Sequence, residues 1–409
     1  MVQESLAVQF SASMKSLDDN AAEYVPALVN LALQQARISR ASDIHLVPAE
    51  QHMLMQWRID GVLHSVAAFD AELSPRLIAR LKVMAGLLTY RTDVPQEGRI
   101  SACADIGVTM AAGEVRVTTF PTLFGEKAAI RLFADSKHFQ RLTDLDLPPD
   151  VEASLRSLLQ QTSGVILLTG PSGSGKTTTV YACLRELVEQ FGESKGLMSL
   201  EDPIEVVVPG VTQSQVQPNV GFDLSVGLKS MMRQDPDVIM VGEIRDPATA
   251  ESAFQAALTG HLVITTFHAG SSVEAVTRLL EMGLEPYLLR STLQAVVCQR
   301  LLRKSCSECR ISETPEESLE SSDKQPIGDA PVKSCSVCGG LKYHGRFVTA
   351  EVLDPNLPEI ARAIVDRLDS RSLQAIAIES GTVTLRQRGQ QAIEAGLTTA
   401  EEVFRVLGR

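Results

Sequence analysis

The sequence predicts an α/β protein, a parallel sheet covered by helices with a smaller α+β domain ahead of it. Three observations carry that prediction. Between residues 151 and 302, short apolar runs at 164–169, 196–200, 237–242 and 262–266 alternate with helical segments, the pattern of strands buried on both faces. Before residue 134 apolar and polar positions alternate within strand-like segments, as half-buried strands require. Finally, the glycine-rich segment Gly170-Pro171-Ser172-Gly173-Ser174-Gly175-Lys176-Thr177 joins an apolar run, Val165 to Leu168, to a helical one, Thr178 to Glu189.

The elements follow in order. Residues 1–24 are polar, lack a clear period and read as a lead-in. From Val25 to Arg40, Leu28, Leu31, Ala32 and Ile38 recur at helical spacing. Strand-like segments follow at Ala41–Leu46 and Met53–Ile59; in the second, Met53, Met55, Trp57 and Ile59 share one face. Asp60-Gly61 is a hairpin turn sequence, with Val62-Leu63 starting the return strand. Residues 75–88 read as helix and 107–133 as strands, closing an α+β domain over 25–134. Pro148 and Pro149 mark 135–150 as a linker, and 151–302 is the parallel-sheet domain. A cysteine-bearing element spans 303–350, and its acidic Ser- and Pro-rich middle, 311–333, reads as a floppy loop. Residues 351–409 read as a helical end domain.

Composition narrows the class. The 409 residues are 44% hydrophobic and 22% charged, ordinary for a globular protein. A net charge of -12 gives no basis for sequence-independent nucleic-acid binding, which needs a basic face. No apolar run approaches the roughly 18–20 residues that span a bilayer, and the first residues lack a signal peptide's basic start and apolar core. The expectation is therefore a cytosolic protein. Four of seven cysteines form two CxxC pairs, leaving Cys103, Cys183 and Cys298 scattered. In a long cytosolic chain such pairs read as a metal site rather than a disulfide framework.

Five segments carry chemistry. The glycine-rich segment matches the P-loop pattern G-x-x-x-x-G-K-[ST] at every fixed position. There, backbone N–H groups from Gly170 to Thr178 would cradle phosphates at a helix N-terminus, Lys176 would reach the β- and γ-phosphates, and the Thr177 hydroxyl would bind Mg²⁺. Glu201-Asp202-Pro203-Ile204-Glu205 places carboxylates after a strand-like run; Glu205 or Glu201 could position the attacking water. Asp237 to Glu243 is an apolar strand ending in an acid, as a Walker B element does, with Gly242 before the glutamate. His261 and His268 bracket another apolar strand, and an imidazole near the γ-phosphate can sense or stabilise its charge. Cys306-x-x-Cys309 and, after 25 residues, Cys335-x-x-Cys338 supply four thiolates, a set suited to a closed, tetrahedral structural Zn²⁺.

In this order, these segments resemble the hexameric secretion ATPases of type II secretion and type IV pilus assembly. Glu201 to Glu205 resembles that family's aspartate box, Arg233 to Asp246 its Walker B region and Gly260 to His268 its histidine box. Ala41-Ser42-Asp43-Ile44-His45, Arg58 to Val62, Pro95 to Ile100, Gly125-Glu126-Lys127 and Ile130-Arg131-Leu132 resemble its N2 domain. The resemblance implies a RecA-like P-loop ATPase domain, preceded by a PAS-like N2 domain and followed by a zinc knuckle and a helical end domain.

It also implies roles. Glu205 would be the general base. Glu243 would organise Mg²⁺ and the attacking water. His261 and His268 would lie at the nucleotide, and Arg116 and Arg131 would contact phosphates. The implied function is an ATP-driven motor, a homohexamer that powers assembly of pilin-like subunits through an inner-membrane platform protein, with only indirect membrane contact. Three alternatives stand beside it. A retraction motor would usually lack the four cysteines, and a regulatory module without turnover would not need Glu205 and Glu243. A DNA-translocating motor conflicts with the acidic balance. Lys229 in place of an arginine, and Ala269-Gly270-Ser271-Ser272 after His268, mark a divergent member.

Overall fold

A computed structural model describes residues 6–18, 21, 23–100, 115–132, 140–310, 335 and 337–408. It divides into two compact units, Met1–Ser136 with Ser305–Gly345, and Lys137–Lys304 with Arg346–Arg409.

The first unit contains α1 (Leu6–Met14), α2 (Tyr24–Ile38), β1 (Ala41–Pro48), β2 (His52–Ile59), β3 (Val62–Asp70), α3 (Ser74–Met84), β4 (Gln96–Ile100), β5 (Val115–Thr122) and β6 (Gly125–Leu132). Among the described residues its six strands form one antiparallel sheet in the order β3-β2-β1-β6-β5-β4. The β2–β3 turn fits its sequence, since Asp60 and Gly61 both take positive φ, 47° and 86°, as type I′ turns need. Met53, Met55, Trp57, Ile44 and Ile130 are buried, together with Leu28 from α2 and Leu77 and Leu81 from α3. Gly98 on β4 is dictated by close approach: a Cβ there would lie 2.4 Å from the Ala85 carbonyl oxygen. Part of the expected lead-in is ordered, because α1 turns Phe10 edge-on to Trp57, with ring centroids 5.7 Å apart. An apolar anchor four residues into a short helix is too weak a periodic signal to read from sequence. The strand reading for 107–114 lies outside the described residues, as do Cys103 and the loop 311–333.

The second unit begins earlier than the sequence suggests. Leu142, Leu145 and Leu147, within the expected linker, are buried against Leu155 of α4 (Pro149–Leu158). Its remaining elements, in chain order, are β7 (Gly164–Thr169), α5 (Lys176–Phe191), β8 (Leu197–Glu201), β9 (Thr212–Gln215), α6 (Leu224–Met231), β10 (Val238–Val241), α7 (Pro247–Leu258), β11 (Leu262–Phe267), α8 (Ser272–Glu281), α9 (Pro286–Thr292) and β12 (Leu293–Ser305). After the short helix α10 (Ser307–Arg310) come β13 (Tyr343–Leu353), α11 (Pro358–Val365), α12 (Ser370–Glu379), α13 (Leu385–Glu394) and α14 (Ala400–Leu407). The sheet order is β13-β12-β7-β11-β10-β8-β9. Its centre is parallel, and every residue of β7, β10 and β11 is buried. Alternate β7 residues enter different cores: Ile166 and Leu168 pack with α4 and α5, Val165 and Leu167 with Ala253 and Phe254 of α7. The expected end domain is part of this unit, since Ile360, Ile364, Leu373 and Ala377 join the α7 core. The expected cysteine element is likewise divided, its outer segments being β12 and β13 of this sheet. Among the described residues, no helix is long and apolar enough to cross a membrane.

Candidate active site

Parallel strands place successive loops at one sheet edge, outside their carboxyl ends, where ligands of such sheets bind. The P-loop leaves β7 at that edge. Gly170 takes φ 147°, and a Cβ there would collide with the Gln299 carbonyl oxygen and Ser174 Oγ, each at 2.6 Å. Gly175 takes φ 89° as the residue before α5, so the helix N-terminus opens directly into the loop. Lys176 is 7% exposed and its Nζ donates to the carbonyls of Gly170 at 2.8 Å and Pro171 at 3.1 Å. Burial lowers its pKa; the Glu243 carboxylate opposes that shift and the Arg300 guanidinium adds to it. Thr177 is half-buried in the first turn of α5, and Thr178 and the Pro171–Gly173 segment are exposed.

Glu243 follows β10 at the same edge. His268 Nε2 lies 2.8 Å from its Oε1, and Arg245 Nη2 lies 3.0 Å from its Oε2. Arg245 also reaches Asp202, at 3.4 Å. His268 follows β11, whose Phe267 pairs with Thr169 of β7, just before the P-loop. Its carbonyl accepts a hydrogen bond from Arg278, whose guanidinium stands 5.3 Å over the Phe267 ring.

Glu205 is exposed on the loop after β8. Glu201 is different, at 3% exposure, with Ser199, Gln213 and Tyr181 all donating to its carboxylate. With three of its roughly four acceptor sites used and almost no exposure, Glu201 is poorly placed to meet a water, whereas Glu205 is exposed.

In the first unit, Arg116 and Arg131 stand opposite each other on β5 and β6. Arg99 faces Arg116, Asp43 faces Arg131, and Arg58 faces Asp43. Five residues in one row across the sheet thus include four arginines and one aspartate. Arg131 Nε is 3.1 Å from Asp43 and Arg116 Nε is 3.3 Å from Glu97. Like charges placed directly opposite cost stability, which suits a surface that meets anions.

Cys306, Cys335 and Cys338 bring three sulfurs within 4.8 Å of one another. The Cys306–Cys335 separation is 3.6 Å, far beyond a bond of about 2.05 Å. Ligands about 2.3 Å from one tetrahedral ion would stand about 3.8 Å apart, so the donor set fits Zn²⁺. The Cys309 side chain lies outside the described residues.

A family model described as "Type II/IV secretion system protein" matches residues 18–405. The chain belongs to this family. It is 39% identical over 381 residues to the type II secretion system protein HxcR of Pseudomonas aeruginosa, covering 93% of this chain and 76% of that protein. Its identity to the type II secretion system ATPase E of Vibrio cholerae is 38% over 385 residues, covering 93% and 74%. In fold it is similar to the Legionella pneumophila ATPase DotB, with a TM-score of 0.66 at 18% identity over 95% of this chain and 97% of that one.

One member of the family's histidine box does not join the site. His261 precedes β11 and its carbonyl accepts from the Gly164 N–H, at the start of β7. Its Nδ1 lies 2.8 Å from the Ala256 carbonyl. Seven residue steps at about 3.3 Å each separate it from His268, about 23 Å, so within one chain it is at the wrong edge to meet a nucleotide on Lys176. Sequence reading also misses Gln299 and Arg300 of β12. Fully buried Gln299 donates to the Ser174 carbonyl at 2.9 Å, and Arg300 donates to the Gly270 carbonyl at 2.6 Å. The available signal was a pair of polar residues interrupting the apolar run Ala295 to Leu302. Cys183 and Cys298 are buried thiols pushed up to about 12, burial being the main cause for each, which makes them core residues rather than nucleophiles.

Proposed function

We propose that this protein is an ATPase that works as an assembly of six copies and powers a type II secretion machine or the related assembly of a pilus. In this reading it is cytosolic and meets the inner membrane through a platform protein that incorporates pilin-like subunits. The observation that carries it is the convergence of Lys176, Glu243 and His268 at one sheet edge of a type II/IV secretion system protein. The names of the Pseudomonas and Vibrio relatives support the secretion assignment.

The residues divide the work. The P-loop N–H groups, Gly170 to Thr178, cradle the ATP phosphates, and Lys176 balances charge on the β- and γ-phosphates. Bound Mg²⁺, held by Thr177 and by Glu243 directly or through water, would neutralise charge developing on the phosphoryl oxygens. His268 and Arg245 hold the Glu243 carboxylate, one at each oxygen. Glu205 takes the proton of the attacking water, and Arg116 and Arg131 supply cationic charge for phosphate. Zinc on the four cysteines is structural, since four sulfurs leave no open position.

Glu205→Ala tests the chemistry. The variant should bind ATP as the parent does, while its turnover falls by about 10²–10⁴, the usual contribution of a positioned base. Parental turnover would move the base elsewhere.

A further inference from the structure

We infer that Tyr181 is a positioning residue for the Glu205 loop, and that buried Glu201 fixes the direction of the hydrogen bonds through which it acts. The inference rests on the proposed role of Glu205.

Tyr181 lies on α5, five residues after Lys176, and is 3% exposed. Its hydroxyl donates to Glu201 Oε2 and accepts from the backbone N–H groups of Glu205 at 3.1 Å and Val206 at 3.4 Å. A phenol has one hydrogen and two lone pairs, so this one is fully used. Glu201 Oε1 accepts from Ser199 Oγ at 2.5 Å and from Gln213 Nε2 at 3.0 Å. Gln213 extends the ties, donating to the Val206 carbonyl at 3.0 Å and accepting from the Val208 N–H at 2.7 Å. Residues 205 and 206 are therefore fastened by their N–H groups to the helix that opens at the P-loop, and 206 and 208 by their backbone to Gln213 of β9. That leaves the exposed Glu205 side chain on an anchored peptide.

Polarity is the point of the buried charge. As a carboxylate, Glu201 can only accept. It therefore commits the Tyr181 hydrogen toward itself and turns both oxygen lone pairs toward the loop N–H groups. Each bond polarises the next. Burial, with Glu201 adding to it, raises the Tyr181 pKa, so the phenol remains a donor. An amide at position 201 could satisfy Ser199 and Gln213 with its oxygen, but its NH₂ would then face the Tyr181 hydrogen. Reversing the phenol would turn that hydrogen against the N–H groups of Glu205 and Val206. Glu201→Gln, although isosteric, thus breaks the relay, as does Tyr181→Phe.

The test uses the full chain in its assembled state, with steady-state ATP turnover, affinity for a fluorescent ATP analogue and amide hydrogen exchange. Tyr181→Phe and Glu201→Gln should each lower kcat by up to about 10²-fold, the effect of misplacing a catalytic group by about 1 Å, with nucleotide affinity unchanged. The double variant should be no slower than the worse single one, because both act on one path. Exchange should quicken across 204–208 and stay parental through the rest of α5. Parental kcat in Tyr181→Phe beside a defective Glu205→Ala would overturn the positioning role. Parental kcat in Glu205→Ala would instead overturn the base assignment, and this inference with it. Weaker nucleotide binding with fast exchange throughout α5 would also overturn it, in favour of a general packing role. If Tyr181→Phe fails to fold, Gln213→Met on half-buried β9 should show the same split at smaller size; a parental kcat and exchange pattern there would overturn the relay.

Discussion

Glu402→Ala should destabilise the second unit by about 3 kcal/mol. Glu402, on α14, is fully buried. Its carboxylate accepts from the Arg303 N–H at 3.0 Å, Arg303 Nε at 2.8 Å and Arg405 Nε at 2.7 Å, and pairs with Arg303 Nη2 at 2.7 Å and Arg405 Nη2 at 2.6 Å. Arg405 is 40% exposed and relaxes into water, so its share is about 0–1 kcal/mol. Arg303 is 11% exposed, and removing one partner of a buried pair costs about 3–5 kcal/mol; its residual exposure favours the low end. For a unit of this size, about 2–4 °C per kcal/mol translates to a fall of about 6–12 °C in melting temperature. Thermal melting followed by near-UV circular dichroism measures it. The pH dependence has a definite sign. Burial raises the Glu402 pKa, but hydrogen bonds from Arg405 and then Arg303 outweigh it and hold the carboxyl below the ordinary 4.5. A pKa depressed by folding contributes stability above the unfolded value and loses it as pH falls through the folded one. The gap between parent and Glu402→Gln should therefore be full at pH 7 and shrink once pH drops below 4.5. A melting change under about 2 °C would refute the reasoning, by showing that Arg303 finds water without cost.

Three further outcomes follow. His268→Ala, which removes the 2.8 Å contact to Glu243, should cut ATP turnover about tenfold or more. His261→Ala should leave turnover near parental and cost about 1 kcal/mol for its bond to the Ala256 carbonyl; turnover assays beside melting would expose the reverse pattern. Metal analysis should give about one zinc per chain, and Cys335→Ser should lose it together with cooperative melting of the first unit, since structural zinc binding is folding energy. Full zinc retention in that variant would contradict the four-thiolate site.

The parallel sheet and its P-loop are legible in the sequence because β7, β10 and β11, buried on both faces, must be apolar throughout. Glu243 and the CxxC pairs are legible because their chemistry needs those side chains at those spacings. Other features depend on tertiary context. Leu142, Leu145 and Leu147 are too few and too near two prolines to announce a packed segment, yet they are buried. Strand β12 was obscured because Gln299 and Arg300, which brace the P-loop and its neighbour, interrupt its apolar run. His261 and His268 look equivalent as a pair, but a strand between them sends them to opposite sheet edges. The roles of Tyr181 and Glu201 depend on which hydrogen bond points which way, and no periodicity encodes that.

The proposed assembly of six copies should hydrolyse ATP at the Lys176 site. The most direct test is ATPase rate against protein concentration, run beside a particle-size measurement, with Lys176→Ala as the blank. Activity should rise as particles of about six chains form and disappear in the variant. Contrary results would be equal activity per chain in a monomer, or assembled particles that bind ATP without turnover.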